Sequence, residues 1–452
     1  MRFALLVATI AGGMAVCTSV SAAQKPVDGQ WVGSWEYVEA PLPPGITPAA
    51  PAPVPPPAPM PLGQPTPASA SPPPAPAAPP RAPAPLLDNP GNVPFTAGAT
   101  DLVNTTAREV VRVSAGGGRL RLRFSNESGA DPLVLGSVHV AEAAADGSIV
   151  PGSDRTVEFA GRAGVIIPPS APALSDPVDL ATRPLEKLYV SVYIPGPLSA
   201  RAQRSLIEYV AGEPGDYTGD AALPQVHLMR VPSLLTLVEV QSTKAAGVVV
   251  ALGDSITEGA LSTANAFRSW PDRLAERLEP YNWAVVNAGI SGNRLLRYGA
   301  GPNALARLDR DVLSVPGIRA IILLEGINDI GRGFSPAGAT EPVTAEALEA
   351  ADQQIIARAH EHGVRVIGAT LTPYQGASYA SAAGEAVRQA LNTWIKTAGA
   401  FDGVIDFAPA VADAGDPLTF AKAYNDRDHL HPNDAGYKVM ADAIDLKVIT
   451  GK

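Results

Sequence analysis

Residues 247–449 read as an α/β domain built on a parallel sheet, and residues 24–240 as an all-β sandwich or jelly roll. Two patterns predict this. Beyond Val248, continuous apolar runs alternate with helix-spaced segments, as strands buried on both faces do with the helices that cover them. Over 96–240, short branched or aromatic runs are separated by Gly, Pro and Asp breakers, with no helix of convincing length between them.

The chain opens with Arg2 and an almost wholly apolar stretch from Phe3 to Val16. Val20 and Ala22, or Ser21 and Ala23, follow as small residues suited to peptidase cleavage. Residues 1–23 therefore read as an export signal, which places the mature chain in the periplasm or outside the cell. The apolar run is short for a hydrocarbon core of about 30 Å, and no later segment is long and apolar enough to span one. Cys17, the single cysteine of the 452 residues, lies in that signal. Val16 stands where a lipid-attachment site needs a small residue. Without Cys17 the mature chain has no thiol, so disulfides, thiolate catalysis and cysteine metal sites drop out together.

Trp31 to Tyr37 reads as a strand. Residues 41–90 then hold 22 prolines and only two charges, Arg81 and Asp88. Proline lacks the backbone donor and fixes φ, so this tract reads as an extended spacer or solvated loop. Strands are predicted at Val110–Val113, Leu120–Phe124, Leu133–Val140, Thr156–Phe159 and Leu188–Ile194. Arg119 to Phe124 alternates basic and apolar residues, the period of a half-buried strand.

In the second region Val248–Leu252, Ala284–Val286, Ala320–Leu324, Val364–Gly368 and Val404–Phe407 read as buried strands. Phe267, Trp270, Leu274 and Leu278 have the spacing of one helix face. Glu346–His362, Ala382–Ala398 and Asp434–Asp445 read as further helices. The net charge of -10 and the lack of a dense Lys/Arg run argue against a nucleic-acid partner.

Two segments carry chemistry. Gly253-Asp254-Ser255 follows an apolar strand and precedes a helix, which puts Ser255 beyond a strand's carboxyl end, where ligands of open α/β sheets bind. A serine hydroxyl needs a nearby base to become a nucleophile. Alone, the tripeptide reads more readily as an ordinary turn or helix cap. Asp428-His429-Leu430-His431 supplies the rest. His431 fits a general base, and Asp428, three residues earlier, fits the group that orients its ring. His429, next to Asp428, is expected to point elsewhere. Two histidines and an aspartate are also a metal-ligand set, but a metal would leave the serine segment without a role.

These residues resemble the SGNH hydrolase superfamily, the GDSL lipases and esterases. The resemblance rests on four ordered blocks: Gly253-Asp254-Ser255, Asn287 to Asn293, Gly326-Ile327-Asn328-Asp329, and Asp428 to His431. It implies an SGNH-type α/β/α sandwich and an esterase that needs no metal or organic cofactor. It also implies roles: Ser255 as nucleophile, Asp428 and His431 as acid and base, and an oxyanion hole from the N–H groups of Ser255 and Gly292 and the Asn328 amide. Asp254, Asn287 and Asp329 are expected to support these loops by hydrogen bonds. The runs Trp31–Glu36, Ala107–Ser114 and Gly116–Asn126 are similar to the β-rich region of a group of exported GDSL proteins. That likeness makes 41–90 an enlarged loop inside the β domain, whereas composition alone reads it as a linker.

Arg294 and Arg297 are expected either at the site mouth or on a solvated surface. His139 and His227 are expected to be structural or exposed, and His360 and His362 to serve a helix C-terminus. The expected partner is an ester, with a polysaccharide ester or a carbohydrate O-acetyl group favoured over a long-chain lipid. A glycan-binding protein on an inactive hydrolase scaffold is the reading from a different class.

Overall fold

The structure, a computed structural model, describes residues 29–38, 40, 102–198, 206–335, 341–425 and 427–451. The signal at 1–23 and the proline tract at 41–90 lie outside them. A parallel sheet holds, in spatial order, the strands Trp283–Gly289, Gly247–Gly253, Ile318–Leu324, Arg365–Ala369 and Gly403–Ile405. Every residue of Gly247–Gly253 is buried, as expected of a central strand covered on both faces. From it the chain passes to one neighbour and then back to the other. The order reverses at its carboxyl end, which is where such sheets leave a crevice. The segment that follows this strand begins with Asp254 and Ser255.

Trp270–Leu278 packs with Asp434–Asp442, and Ala345–Glu361 packs with Ala382–Thr397. Their starts are set by side-chain caps from Ser269, Thr344, Ser381 and Asn433. Ser269 and Asp272 form a reciprocal capping box, so the helix begins at Trp270. Phe267 therefore lies outside the helix whose face its spacing matched. It sits in a left-handed conformation with φ 57. The expected strand Val404–Phe407 is also shorter: it ends at Ile405, and Phe407 opens a short helix to Val411.

The N-terminal part contains a four-stranded sheet and a six-stranded sheet, both antiparallel. Leu120, Leu122 and Phe124 point into the core, while Arg121 and Arg123 face Glu239 on the neighbouring strand. The expected strand at Leu133–Val140 is split at Gly136. Leu133–Leu135 pairs with Val165–Ile167, and Ser137–Glu142 joins the six-stranded sheet. Gly136 is pressed against the Tyr193 ring, where a Cβ would sit 2.5 Å from a ring carbon. Five strands, Val165–Ile167, Pro172–Leu174, Leu206–Val210, His227–Val231 and Leu235–Ser242, were not expected from the sequence.

Gln30–Glu36 pairs with Leu235–Ser242 in the four-stranded sheet, and Thr105–Arg112 lies in the six-stranded one. The chain on both sides of the proline tract thus belongs to the β-rich part. That part covers the open edge of the parallel sheet. Gly33 N–H donates to Pro316 O (2.9 Å), and Val285 N–H on the edge strand donates to Ser114 Oγ (3.0 Å). Covering an edge in this way removes unpaired backbone groups that would otherwise recruit another strand. Val32, Val286 and Val315 belong to one apolar core that runs through both parts.

Besides Glu239, which pairs with Arg121 and Arg123, two carboxyls are buried in the β-rich part. Glu109 and Glu208 stand on adjacent strands, and Ser233 Oγ donates to Glu109 Oε2 (2.7 Å). Burial lifts Glu109 to about 8, and burial beside Glu109 lifts Glu208 well above the carboxyl range. The unfolded chain ionises both near pH 4.5, whereas the folded chain holds them neutral. The Glu109 contribution to stability is therefore full below about pH 4.5 and is lost as pH rises through about 8, and the Glu208 contribution is lost in the same direction. Glu109→Gln is expected to flatten that fall, by on the order of a few kcal/mol at pH 8. Urea unfolding at pH 5 and pH 8 measures it; an equal fall in both proteins would contradict the account.

Candidate active site

Ser255 opens the short helix Ser255–Glu258 directly after the central strand. Gly253 makes the turn possible by close approach: a Cβ there would lie 2.2 Å from Thr257 Oγ1 and 2.4 Å from Leu324 O. Asp254 caps the helix, with Oδ1 accepting from Ile256 N–H (2.9 Å). The Ser255 side chain is held where His431 Nε2 lies 2.8 Å from its Oγ.

His431 comes from the loop before helix Asp434–Asp442. Its Nδ1 lies 2.5 Å from Asp428 Oδ2. With Nδ1–H donated to that carboxylate, Nε2 is left to accept from the serine hydroxyl. Asp428 Oδ1 in turn accepts from the backbone N–H of Leu430 and of His431, each at 3.0 Å, and from Asn425 Nδ2 at 3.2 Å. Partial burial pushes the Asp428 carboxyl up. The hydrogen bonds from the His431 ring and backbone outweigh that and hold it well below the usual range. It stays ionised and able to stabilise a protonated His431.

The loop bends as the three-residue spacing requires. His429 takes φ 60, and its ring packs against Gly376. Asn425 ties the bend together: its Oδ1 accepts from Arg427 and His429 N–H (3.1 Å each), and its Nδ2 also donates to His431 O (2.9 Å). Asn425 carries no signal in the sequence beyond standing three residues before Asp428.

Asn328 lies in the helix Ile327–Gly333 after the third strand of the parallel sheet. Its Nδ2 donates to Asn293 O (3.0 Å) and lies 3.4 Å from Asp254 Oδ2. The amide thus bridges the residue before Ser255 and the residue after Gly292. The long contact to Asp254 leaves that N–H able to turn to a stronger acceptor. Tyr379 OH approaches Asn328 Oδ1 (3.4 Å), and burial pushes this phenol up so that it remains a donor. Gly292 takes φ 76, a conformation that costs little only for glycine.

The three supporting residues each hold a loop. Besides its cap, Asp254 is buried, and burial raises its carboxyl to about 6 against the hydrogen bond from Ile256 and the charge of His431. Glu325, buried beside it, is pushed well above the carboxyl range by burial and by the charge of Asp254. Asn287 Nδ2 donates to Thr257 O (2.8 Å), and its Oδ1 accepts from Gly289 N–H (2.9 Å). Asp329 accepts from Leu295 N–H (2.7 Å) and Leu296 N–H (3.1 Å), fixing the chain just past Gly292.

Beneath these loops lies Arg307, which the sequence did not single out. It is 1% exposed. Its guanidinium donates to Gly253 O (2.9 Å), Ala288 O (2.7 Å) and Asn293 Oδ1 (2.9 Å). One side chain therefore ties together the strand end before Ser255 and the loop that carries Gly292.

Arg294 and Arg297 both face Glu341, at 2.5 and 3.7 Å. His139 pairs with Asp154, His360 with Asp402, His362 ends the helix Ala345–Glu361, and His227 is exposed. No cluster of three or more His, Cys, Asp or Glu suited to a metal occurs among the described residues.

A serine, a histidine and an aspartate in hydrogen-bonded line beyond the carboxyl end of a parallel strand define a hydrolase-type site on an α/β/α fold. Residues 251–439 match the GDSL-like lipase/acylhydrolase family, so this part of the chain is a GDSL-like domain of the SGNH superfamily and a carboxylic ester hydrolase. Solved structures similar to it include an acetyl xylan esterase from Geobacillus stearothermophilus (21% identity, 45% of this chain and 95% of that one, TM-score 0.36). A GDSL-like lipase from Bacteroides thetaiotaomicron is 18% identical over 46% of this chain and 89% of its own (TM-score 0.35). An alpha/beta hydrolase enzyme from the metagenome of Lake Arreo is 22% identical over 46% and 96% (TM-score 0.35). No curated relative matches the chain.

Proposed function

We propose that the protein is an exported serine esterase that works through an acyl-enzyme, with O-acetyl groups of carbohydrates as its substrate class. The observation that carries the catalytic reading is His431 bridging Ser255 Oγ at 2.8 Å and Asp428 at 2.5 Å. His431 takes the hydroxyl proton as Ser255 Oγ bonds to the ester carbonyl carbon. The carbonyl oxygen becomes an oxyanion, held by the N–H groups of Ser255 and Gly292 and by Asn328 Nδ2. As the carbon–oxygen bond to the alcohol breaks, His431 passes its proton to the leaving oxygen. Water, deprotonated by His431, then attacks the acyl-serine, and the acid and free serine are restored.

The surroundings favour a polar substrate. Arg332 Nη2 lies 3.5 Å from where a side chain on Gly292 would begin, and Arg427, beside Asp428, is exposed. A fatty acyl chain would have to desolvate such groups. Export rests on the sequence of residues 1–23; among the described residues no helix is long and apolar enough to cross a membrane.

Product analysis tests the substrate class. Acetylated saccharides, nitrophenyl esters of increasing chain length and phospholipids are offered to the full chain. Acetate release from the saccharides, with activity falling as the acyl chain lengthens, is the expected result. Preferential fatty-acid release would make it a lipase, and glycan binding without hydrolysis would make it a lectin-like scaffold. Asn328→Ala is expected to lower kcat about 10²–10³-fold with KM little changed, because its hydrogen bond forms in the transition state. A loss confined to KM would contradict the oxyanion role.

A further inference from the structure

A cavity of about 490 Å³ lies between the two parts of the chain, within the ~300–1,000 Å³ range of small-molecule sites. Trp35, Tyr37 and Glu109 form its wall on the β-rich side. The opposite wall is the loop from Gly259 to Ser269, which continues directly from the nucleophile helix. Ser291 and Arg427, the neighbours of Gly292 and Asp428, also line it. We propose that this cavity holds the alcohol half of the ester, a sugar unit, so that the β-rich part supplies one wall of the substrate site. This inference rests on the esterase reading of Ser255.

The loop has the marks of a built wall. Leu261 and Phe267 take φ of 66 and 57, a left-handed conformation that side chains of this kind rarely adopt, and Asn265, which tolerates it, takes 55. Such strain persists only where surrounding contacts fix it, and it collects at ligand clamps. Here the contacts come from both halves of the catalytic group. Ala260 N–H donates to Ser255 O (2.9 Å). Thr263 donates through N–H (2.8 Å) and Oγ1 (2.7 Å) to Asp434, three residues past His431, and Arg268 donates to the same carboxylate (2.6 Å). The Phe267 ring is held under the Arg112 guanidinium (5.3 Å) and the Lys187 ammonium (5.1 Å), both from the β-rich part.

The lining specifies the ligand class. Glu109 is 5% exposed, and its Oε1 has no hydrogen-bond partner among the described residues. An unpaired oxygen of a buried, neutral carboxyl calls for a hydroxyl partner. Trp35 and Tyr37 add ring surface against which the C–H face of a sugar packs. A pyranose carries both kinds of surface. A fatty chain would fill the space and leave the Glu109 carboxyl unpaired.

Kinetics with two acetyl esters test this in the full chain. One is methyl glucoside tetraacetate, whose alcohol half is a sugar; the other is 4-nitrophenyl acetate. Ala264→Trp places an indole in the cavity. Asn265→Gly removes an amide from its wall while keeping the left-handed backbone. Each is expected to lower kcat/KM for the sugar ester about tenfold more than for the nitrophenyl ester, chiefly through KM. Free methyl glucoside should inhibit the unaltered enzyme competitively, and less well in either variant. Equal losses on the two esters, or no inhibition of the unaltered enzyme by methyl glucoside, would overturn the assignment. The esterase reading fails separately, if 4-nitrophenyl acetate hydrolysis survives Ser255→Ala.

Discussion

Ser255→Ala is expected to lower kcat toward 4-nitrophenyl acetate at least about 10⁴-fold while leaving the fold and ligand affinity in place. The size follows from the covalent step. Without Oγ there is no atom for His431 to activate at 2.8 Å, and the oxyanion donors can only assist direct attack by water. His431→Ala should cost a similar factor, and the double variant little more, because residues acting as one unit are not additive. Steady-state rates with matched circular dichroism spectra measure this. A loss below about tenfold for either single variant would place the nucleophile or base elsewhere.

Arg307→Met is expected to give the largest loss of stability of any single change near the site, about 3–5 kcal/mol. Methionine keeps much of the apolar stem and removes all three donors. Ala288 O and Asn293 Oδ1 lose a partner at a buried position, and Asp311, 3.6 Å from the guanidinium and nearly buried, keeps Arg310 but loses its second counter-charge. Because the same side chain links Gly253 to Asn293, kcat should fall as well, through displacement of the Gly292 loop. Urea midpoints and kcat measured on the same preparation test both halves. A variant within about 1 kcal/mol of the parent would show that water or neighbouring donors replace the guanidinium.

How much of this was legible in the sequence differs from residue to residue. The class of both parts was legible because strands buried on two faces are apolar throughout and half-buried ones alternate, as Gly247–Gly253 and Arg119–Ser125 do. Leu235–Ser242 escaped notice for a related reason. It is a central strand buried at nearly every position, yet it includes Glu239, so it shows neither a pure apolar run nor an alternation. Phe267 fitted a helix by spacing, but Ser269, Pro271 and Asp272 mark the start of that helix more strongly than an apolar period does.

The residues of the candidate site divide in the same way. Ser255, Gly292, Asn328, Asp428 and His431 stand in short blocks whose local shape is dictated by glycines, caps and a bent loop. Arg307, Glu325, Asn425 and Tyr379 act through partners far away in the chain, or through bonds to backbone that any polar residue could make. An arginine in a helical stretch reads as a solvated residue. Only the fold shows that Arg307 is turned inward beneath Gly253. The cavity was invisible for the same reason: its two walls come from segments more than 150 residues apart, Trp35 and Tyr37 against Gly259 to Ser269.

The central claim is that Ser255 is acylated. Treating the folded full-length chain with a fluorophosphonate and mapping the adduct by peptide mass spectrometry tests this most directly. The account predicts one adduct, on the peptide containing Ser255, abolished by unfolding the protein first and strongly slowed by His431→Ala. A folded, unlabelled Ser255, or an adduct on another serine that tracks loss of activity, would contradict it.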